Sequence, residues 1–219
     1  MPAAPPIAVL TGLPLFWPEG GIGETLAGPP IDDSWRAALG GRAAIPIETS
    51  AGPALAGQRL LLAAQPRDQS PADLVALDDW VRRGGRLLWL ADPALARASR
   101  LPLGHPGRPP ASPTMLPLLA RWHVSITPDR ATGEGCMTAW DGLAADCRLG
   151  RGRAIIVADA DLLFTPAGTA RLAYAIESLA ADTPLSNDSL PFVPNVLLLF
   201  LGGGLAVACA LIWRRLRRP

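Results

Sequence analysis

LLLAAQPRDQSPADLVALDDWVRRGGRLLWLADP, Leu60 to Pro93, decides the fold of this chain. Its first five residues, Leu60 to Ala64, are continuously apolar and short, the pattern of a strand buried on both faces of a parallel sheet. A turn follows, and Ser70 then stands as a helix N-cap with Pro71 at the first helical position. Asp73 falls in the first turn, where an acidic group meets the positive end of the helix dipole. Leu74, Leu77, Trp80 and Val81 recur at three- and four-residue spacing and make one apolar stripe, with Asp78, Asp79, Arg82 and Arg83 mostly off it. Gly84 and Gly85 stop the helix, and Arg86 to Ala91 returns as a second strand. A strand, helix and strand of this length close right-handed onto one sheet. The expected fold class is therefore α/β, a mostly parallel sheet flanked by helices.

The stretch SPADLVALDDWVRRGGRLLWLADP (70–93), together with GRGRAIIVADADLL (150–163), resembles the class I glutamine-amidotransferase-like domain of membrane-anchored bacterial proteins. These are the DUF4350 group and the gliding-motility-type accessory proteins of ABC transporters. The resemblance covers Ile7 to Ala180 and rests on structural patterns rather than a catalytic signature. It implies an amidotransferase- or flavodoxin-like sheet, a plan with two membrane anchors and a protein partner in a membrane complex.

With 219 residues, the chain holds one α/β domain and an appendage. The expected division is a linker-like start over 1–6, the domain over 7–180, a Pro/Ser/Asn-rich linker over 181–195, a transmembrane helix over 196–213 and a basic tail over 214–219. Net charge is +1, but four arginines follow Trp213, so residues 1–190 carry 16 Arg against 19 acidic groups. A nucleic-acid binder would need a basic face, and this domain is mildly acidic. The opening MPAAPP has neither a charged n-region nor an apolar h-region, so it does not read as a signal peptide.

Along the chain, Ile7 to Leu10 reads as the first strand. Gly20, Gly21 and Gly23 match neither phosphate-loop pattern and read as a turn. Asp32 to Leu39 reads as a short helix, and Ala43 to Glu48 as an edge strand because Pro46 interrupts it. Ala94 to Pro113 is a long loop carrying Arg97, Arg100, His105 and Arg108. It begins at the carboxyl end of a strand, where ligands of open α/β sheets collect, so these four side chains are candidate ligand contacts; the alternative is a solvated loop. Thr114 to Arg121 reads as a helix, His123 to Ile126 as a strand and Glu134 to Leu149 as a hairpin. Asp141-Gly142 suits a type I′ turn at its tip. With those two residues central, Trp140 faces Leu143, Thr138 faces Ala145 and Cys136 faces Cys147, as a hydrogen-bonded pair. That allows a disulfide and hence an oxidising compartment, or two free buried thiols, which imply nothing. Gly168 to Ala180 reads as the last helix.

An amidotransferase-like enzyme needs a cysteine on a strand-to-helix elbow, with a histidine and a carboxylate behind it. The elbow after Arg86–Ala91 reads Asp92-Pro93, neither Cys136 nor Cys147 follows a buried parallel strand, and no G-x-S-x-G is present. No catalytic triad and no cofactor are expected. Asp92, Asp159 and Asp161 lie after two strands of the sheet and could hold Mg²⁺ or Ca²⁺ through oxygen ligands. Aspartates in these places also serve as turn formers and caps.

Val196 to Trp213 is free of charge over 18 residues, long enough for a hydrocarbon core of about 30 Å. Trp213 with Arg214, Arg215, Arg217 and Arg218 would anchor one end. The positive-inside rule puts these arginines in the cytoplasm and the domain in the periplasm, yet no leader in this sequence would export it. Either an upstream helix precedes Met1, or the protein is tail-anchored with a cytosolic domain; the expectation leans to an inner-membrane protein facing the periplasm. The expected function is a non-catalytic, membrane-anchored binding or accessory subunit of an ABC-type transporter or envelope complex. The alternative is a membrane-tethered hydrolase or ligand- or metal-binding enzyme using the carboxyl edge of the sheet, its small-molecule ligand unspecified.

Overall fold

The computed structural model describes residues 4–19 and 33–186. The chain divides into two units, Met1–Asp188 and Ser189–Pro219, and the first is the α/β domain. Its strands are β1 (Ile7–Thr11), β2 (Ala44–Ile47), β3 (Leu60–Ala64), β4 (Arg86–Leu90), β5 (Val124–Thr127), β6 (Arg130–Gly133), β7 (Cys136–Ala139), β8 (Ala144–Leu149) and β9 (Gly152–Val157). The helices are α1 (Gly52–Leu55), α2 (Pro71–Arg82), α3 (Leu116–Arg121) and α4 (Pro166–Ala181), and Ser34–Leu39 forms a 3-10 segment.

Seven strands make one sheet in the order β2-β1-β3-β4-β9-β8-β7. The first five are parallel, and β8 and then β7 are added antiparallel. The parallel part has the 2-1-3-4-5 order of doubly wound sheets of the flavodoxin kind. As expected, β2 is an edge strand, which accommodates Pro46. β5 and β6 form a separate antiparallel pair.

Both faces of the sheet are covered, so side chains alternate between two cores. Val9, Leu62, Leu88, Leu90, Ile155 and Val157 pack with Trp35 and Leu39 of the 3-10 segment and Leu172, Ile176 and Leu179 of α4. Leu10, Leu61, Leu87, Trp89 and Ile156 pack with Leu77, Trp80 and Val81 of α2 and Leu118 and Leu119 of α3. All five residues of β3 are buried, which is why this strand reads as an unbroken apolar run rather than an alternation. Truncating any such leucine to alanine costs about 2–5 kcal/mol.

Local signals set the boundaries. The Ser70 side chain accepts from the Asp73 N–H, capping α2. The end of α2 then approaches the start of β9 so closely that a Cβ on Gly152 would lie 1.8 Å from the Val81 carbonyl oxygen; only glycine fits there. The final helix starts at Pro166 rather than Gly168, because the Thr165 hydroxyl caps it by accepting from the Gly168 N–H. Among the described residues no helix is long and apolar enough to cross a membrane. The expected membrane segment 196–213, with Trp213, Arg214, Arg215, Arg217 and Arg218, and the glycines Gly20, Gly21 and Gly23 lie outside the described residues.

The β7–β8 hairpin has the register its turn dictates, with Cys136 opposite Cys147 and Thr138 opposite Ala145. Asp141 (φ 58°, ψ 26°) and Gly142 (φ 103°) take the left-handed conformations of a type I′ turn, closed by Leu143 N–H donating to the Trp140 carbonyl at 3.1 Å. Two details differ from expectation. The ladder ends at Ala139–Ala144, since Trp140 is itself left-handed at φ 56°. The Cys136 and Cys147 Cα atoms are 4.3 Å apart, the spacing of a non-hydrogen-bonded pair rather than the wider hydrogen-bonded one. The two sulfurs are joined as a disulfide.

Candidate functional site

The carboxyl ends of β3, β4 and β9 are tied together by polar side chains. Gln65, fully buried just after β3 with φ 42°, donates from Nε2 to the Asp92 and Pro110 carbonyls at 2.9 and 3.1 Å. Its Oε1 accepts from the Asp92 N–H at 3.0 Å. One glutamine thus fastens the end of β3 to the end of β4 and to the returning end of the long loop. Sequence reasoning passed over it; its signal is a lone polar residue directly after an all-apolar strand and before a proline.

Asp92, Asp159 and Asp161 come together, each offering a carboxylate oxygen within 4.8 Å of the others. Their oxygens accept backbone N–H groups. Asp92 Oδ1 takes Ala94 N–H at 2.8 Å and Asp159 Oδ1 takes Asp161 N–H at 2.8 Å, each an Asx turn within its own loop. Asp92 Oδ2 takes Ala160 N–H at 3.0 Å and Asp161 Oδ2 takes Ala96 N–H at 2.9 Å, so each loop also caps the other. Burial pushes the Asp159 carboxyl above the ordinary carboxylate range; the Asp161 N–H opposes this, and the neighbouring Asp92 and Asp161 carboxylates add to it. The trio has the donor chemistry for a hard divalent cation, and its hydrogen bonds also join the loops after β4 and β9.

The long loop after β4 does not gather its four candidate side chains at one point. The Arg97 guanidinium lies 4.0 Å from the centroid of the Phe164 ring. Arg108 donates to the Leu101 carbonyl, and Arg100 contributes its backbone N–H to Glu19 at 2.8 Å. His105 Nδ1 accepts from the Gly107 N–H at 3.0 Å, and His105 borders a cleft. That cleft, about 200 Å³ in volume, opens beyond the ends of β1, β2 and β3. It lies at the crossover between β1 and β3, where the chain leaves the sheet in opposite directions.

The opposite, amino-terminal end is held by arginines. Arg153, opposite Arg86 in the sheet, is 1% exposed and bidentate to Asp146 at 2.6 and 2.7 Å. It also donates to the Ser178 carbonyl and hydroxyl, both at 2.9 Å. Asp146 accepts the Leu185 N–H at 3.1 Å, and Arg86 and Arg148 pair with Asp182 at 3.0 and 2.8 Å. Asp182 to Leu185, the first residues after α4, are therefore fastened to the sheet.

Residues 39–140 match the model of an auxiliary family described as ABC-type uncharacterized transport system. The match runs from the end of the 3-10 segment to the hairpin turn and supports an accessory role in ABC-type transport. Among curated proteins no sequence matches. Similar solved structures include the exo-β-1,4-mannosidase Op5Man5 from Opitutaceae bacterium strain TAV5, at 12% identity and TM-score 0.40, covering 84% of this chain and 37% of that one. The cold-adapted β-galactosidase from Rahnella sp. R3 has 14% identity and TM-score 0.43, covering 84% and 32%. A cytoplasmic protein of Salmonella typhimurium LT2, STM1381, has 11% identity and TM-score 0.43, covering 81% and 96%. The chain spans about a third of the length of the two glycosidases, and at these scores none of the three carries a functional reading.

Proposed function

We propose that this protein is a non-catalytic accessory subunit of an ABC-type transport or cell-envelope complex. Residues 196–213 anchor it in the inner membrane, and its amidotransferase-like domain faces the periplasm. The observation that carries the reading is the elbow after β4. Where a catalytic scaffold of this kind presents a nucleophile, this chain has Asp92-Pro93, and both Asp92 oxygens cap backbone N–H groups. The family match over 39–140 supports the transport association, and the Cys136–Cys147 bond suits an oxidising compartment. The chain leaves α4 at the amino-terminal end of the sheet, so the carboxyl edge, with its loops and cleft, lies at the other end.

Affinity purification of the full chain from mild detergent tests this. An ATP-binding subunit and a permease of the ABC type are expected to copurify with it in fixed proportion. A chain that purifies alone contradicts the reading. The competing reading, a tethered hydrolase or metal-binding enzyme, draws on the raised carboxyl of Asp159 beside Asp92 and Asp161. It requires hydrolytic activity, or Mg²⁺ or Ca²⁺ retention, that Asp159→Asn abolishes.

A further inference from the structure

We infer that the cleft between the loops after β1 and β3 is a binding site for a small organic cation, an ammonium- or guanidinium-bearing solute. This holds whichever complex the domain serves. The position is the first ground. Around β1 the chain crosses outward to β2 and then back to β3, so the loops that follow β1 and β3 part and leave a crevice at the carboxyl edge. Its volume of about 200 Å³ is somewhat larger than the roughly 150 Å³ that admits benzene, which suits a headgroup and not a nucleotide.

The lining decides the chemistry. Along the floor, Gly12 N–H donates to the Gln65 carbonyl at 3.0 Å and Leu13 N–H to the Thr11 hydroxyl at 2.9 Å, so these two amides are not offered to an anion. Thr11 itself donates to the Ala64 carbonyl at 2.8 Å, and Pro14, Pro18 and Pro46 in the walls have no N–H. The Arg67 guanidinium is fixed by the carbonyls of Pro106, Gly107 and Arg108, which makes it the clasp for the far wall.

Among the described residues, the remaining lining sets two carboxylates, Glu19 and Glu48, against the guanidinium of Arg67, with His105 and the rings of Phe16 and Trp17 beside them. Glu48 makes no ion pair among the described residues, and Glu19 is oriented by the Arg100 N–H at one oxygen. Trp17 is 66% exposed, an unusual state for an indole. An indole beside two carboxylates attracts an organic cation through the ring quadrupole and through charge together. The neighbouring ring already behaves this way, since the Arg36 guanidinium sits 5.8 Å from the Phe16 centroid and 4.8 Å from that of Trp35. An anion would meet both glutamates instead.

Isothermal titration calorimetry on the full chain in maltoside detergent tests the assignment with choline and ethylguanidinium. Their uncharged counterparts 3,3-dimethylbutan-1-ol and ethylurea serve as controls. Both cations are expected to bind at about millimolar Kd or tighter, at least tenfold more tightly than the neutral compounds, and more weakly as salt is added. Glu48→Gln and Trp17→Leu should each weaken choline binding severalfold, with the melting temperature unchanged because both side chains are exposed. No binding of either cation at millimolar concentration overturns the proposal. So does equal binding of the neutral compounds, or a folded Glu48→Gln/Trp17→Leu double variant that binds like the parent.

Discussion

The two ends of the parallel sheet hold their carboxylates in opposite ways. Toward the amino-terminal end, Asp78, Asp146 and Asp182 all meet arginines. At the carboxyl end, Asp92, Asp159 and Asp161 meet one another and backbone N–H groups, and none of them is in an ion pair among the described residues. The acidities diverge accordingly. Burial raises Asp78, but Trp122, Arg82 and Arg121 outweigh it and hold its carboxyl below the usual range; a hydrogen bond from Arg148 chiefly does the same for Asp182. Asp159 is held up. One end is built as a fixed mount where the chain departs; at the other, the three carboxylates are held by backbone N–H groups without an arginine partner among the described residues.

The largest effect should come from breaking the mount. Arg153→Met leaves Asp146 buried without its partner and should cost about 3–5 kcal/mol in a denaturant titration. Adding Asp146→Leu should recover much of the loss, because the remaining buried charge is then gone. An unchanged midpoint in the single variant would show that the pair holds nothing. Next in size is the hairpin staple. Opening Cys136–Cys147, which closes a loop with a sequence separation of 11, should lower stability by about 3 kcal/mol, read as a lower denaturation midpoint under reductant. Cys136→Ala should lower the midpoint by a similar amount and make it insensitive to reductant.

The smallest effect sharpens the contrast through pH. A carboxyl whose folded pKa is raised penalises the folded state above that pKa, and the penalty disappears below the unfolded value, ordinarily 3.8. Asp159→Asn, which keeps an oxygen to accept the Asp161 N–H, should therefore stabilise slightly at neutral pH and not at all at pH 3. Asp78 has the reverse sign: its support is present above the unfolded value and lost as pH falls through the depressed folded one. Asp78→Asn should destabilise at pH 7 and matter progressively less in acid. Paired melts across this range check both signs.

Much of this was legible before any coordinates. Leu60 to Ala64, Ser70-Pro71, Gly84-Gly85 and Arg86 to Ala91 fix the βαβ unit because each boundary has its own local chemistry. Asp141-Gly142 fixed the register that brings Cys136 to Cys147 for the same reason. Thr165-Pro166 repeats the Ser70-Pro71 signal and marks the start of α4 two residues before Gly168. The pairing of β6 with β5 rests on four residues with little periodicity, too few to read as a strand. Asp92, Asp159 and Asp161 could be placed on one edge from topology alone, but not the N–H groups that occupy them. The Arg153–Asp146 pair was invisible, since an arginine preceded by Gly152 reads as a loop until the neighbouring strand and α4 bury it. The cleft was equally hidden: Trp17, Glu48 and Arg67 follow three different strands, and only the crossover brings them together.

Thiol labelling in whole cells tests the central claim, an accessory domain outside the cytoplasm, most directly. A membrane-impermeant maleimide would be applied to intact cells carrying the Cys209→Ala chain, with and without prior reduction. Labelling of the partly exposed Cys136 only after reduction is the predicted result, for it places a bonded hairpin on the outer face of the membrane; Cys147 is buried and is not expected to react in the folded domain. Labelling only after lysis, with no reductant needed, would put the domain in the cytosol with free thiols and contradict the account.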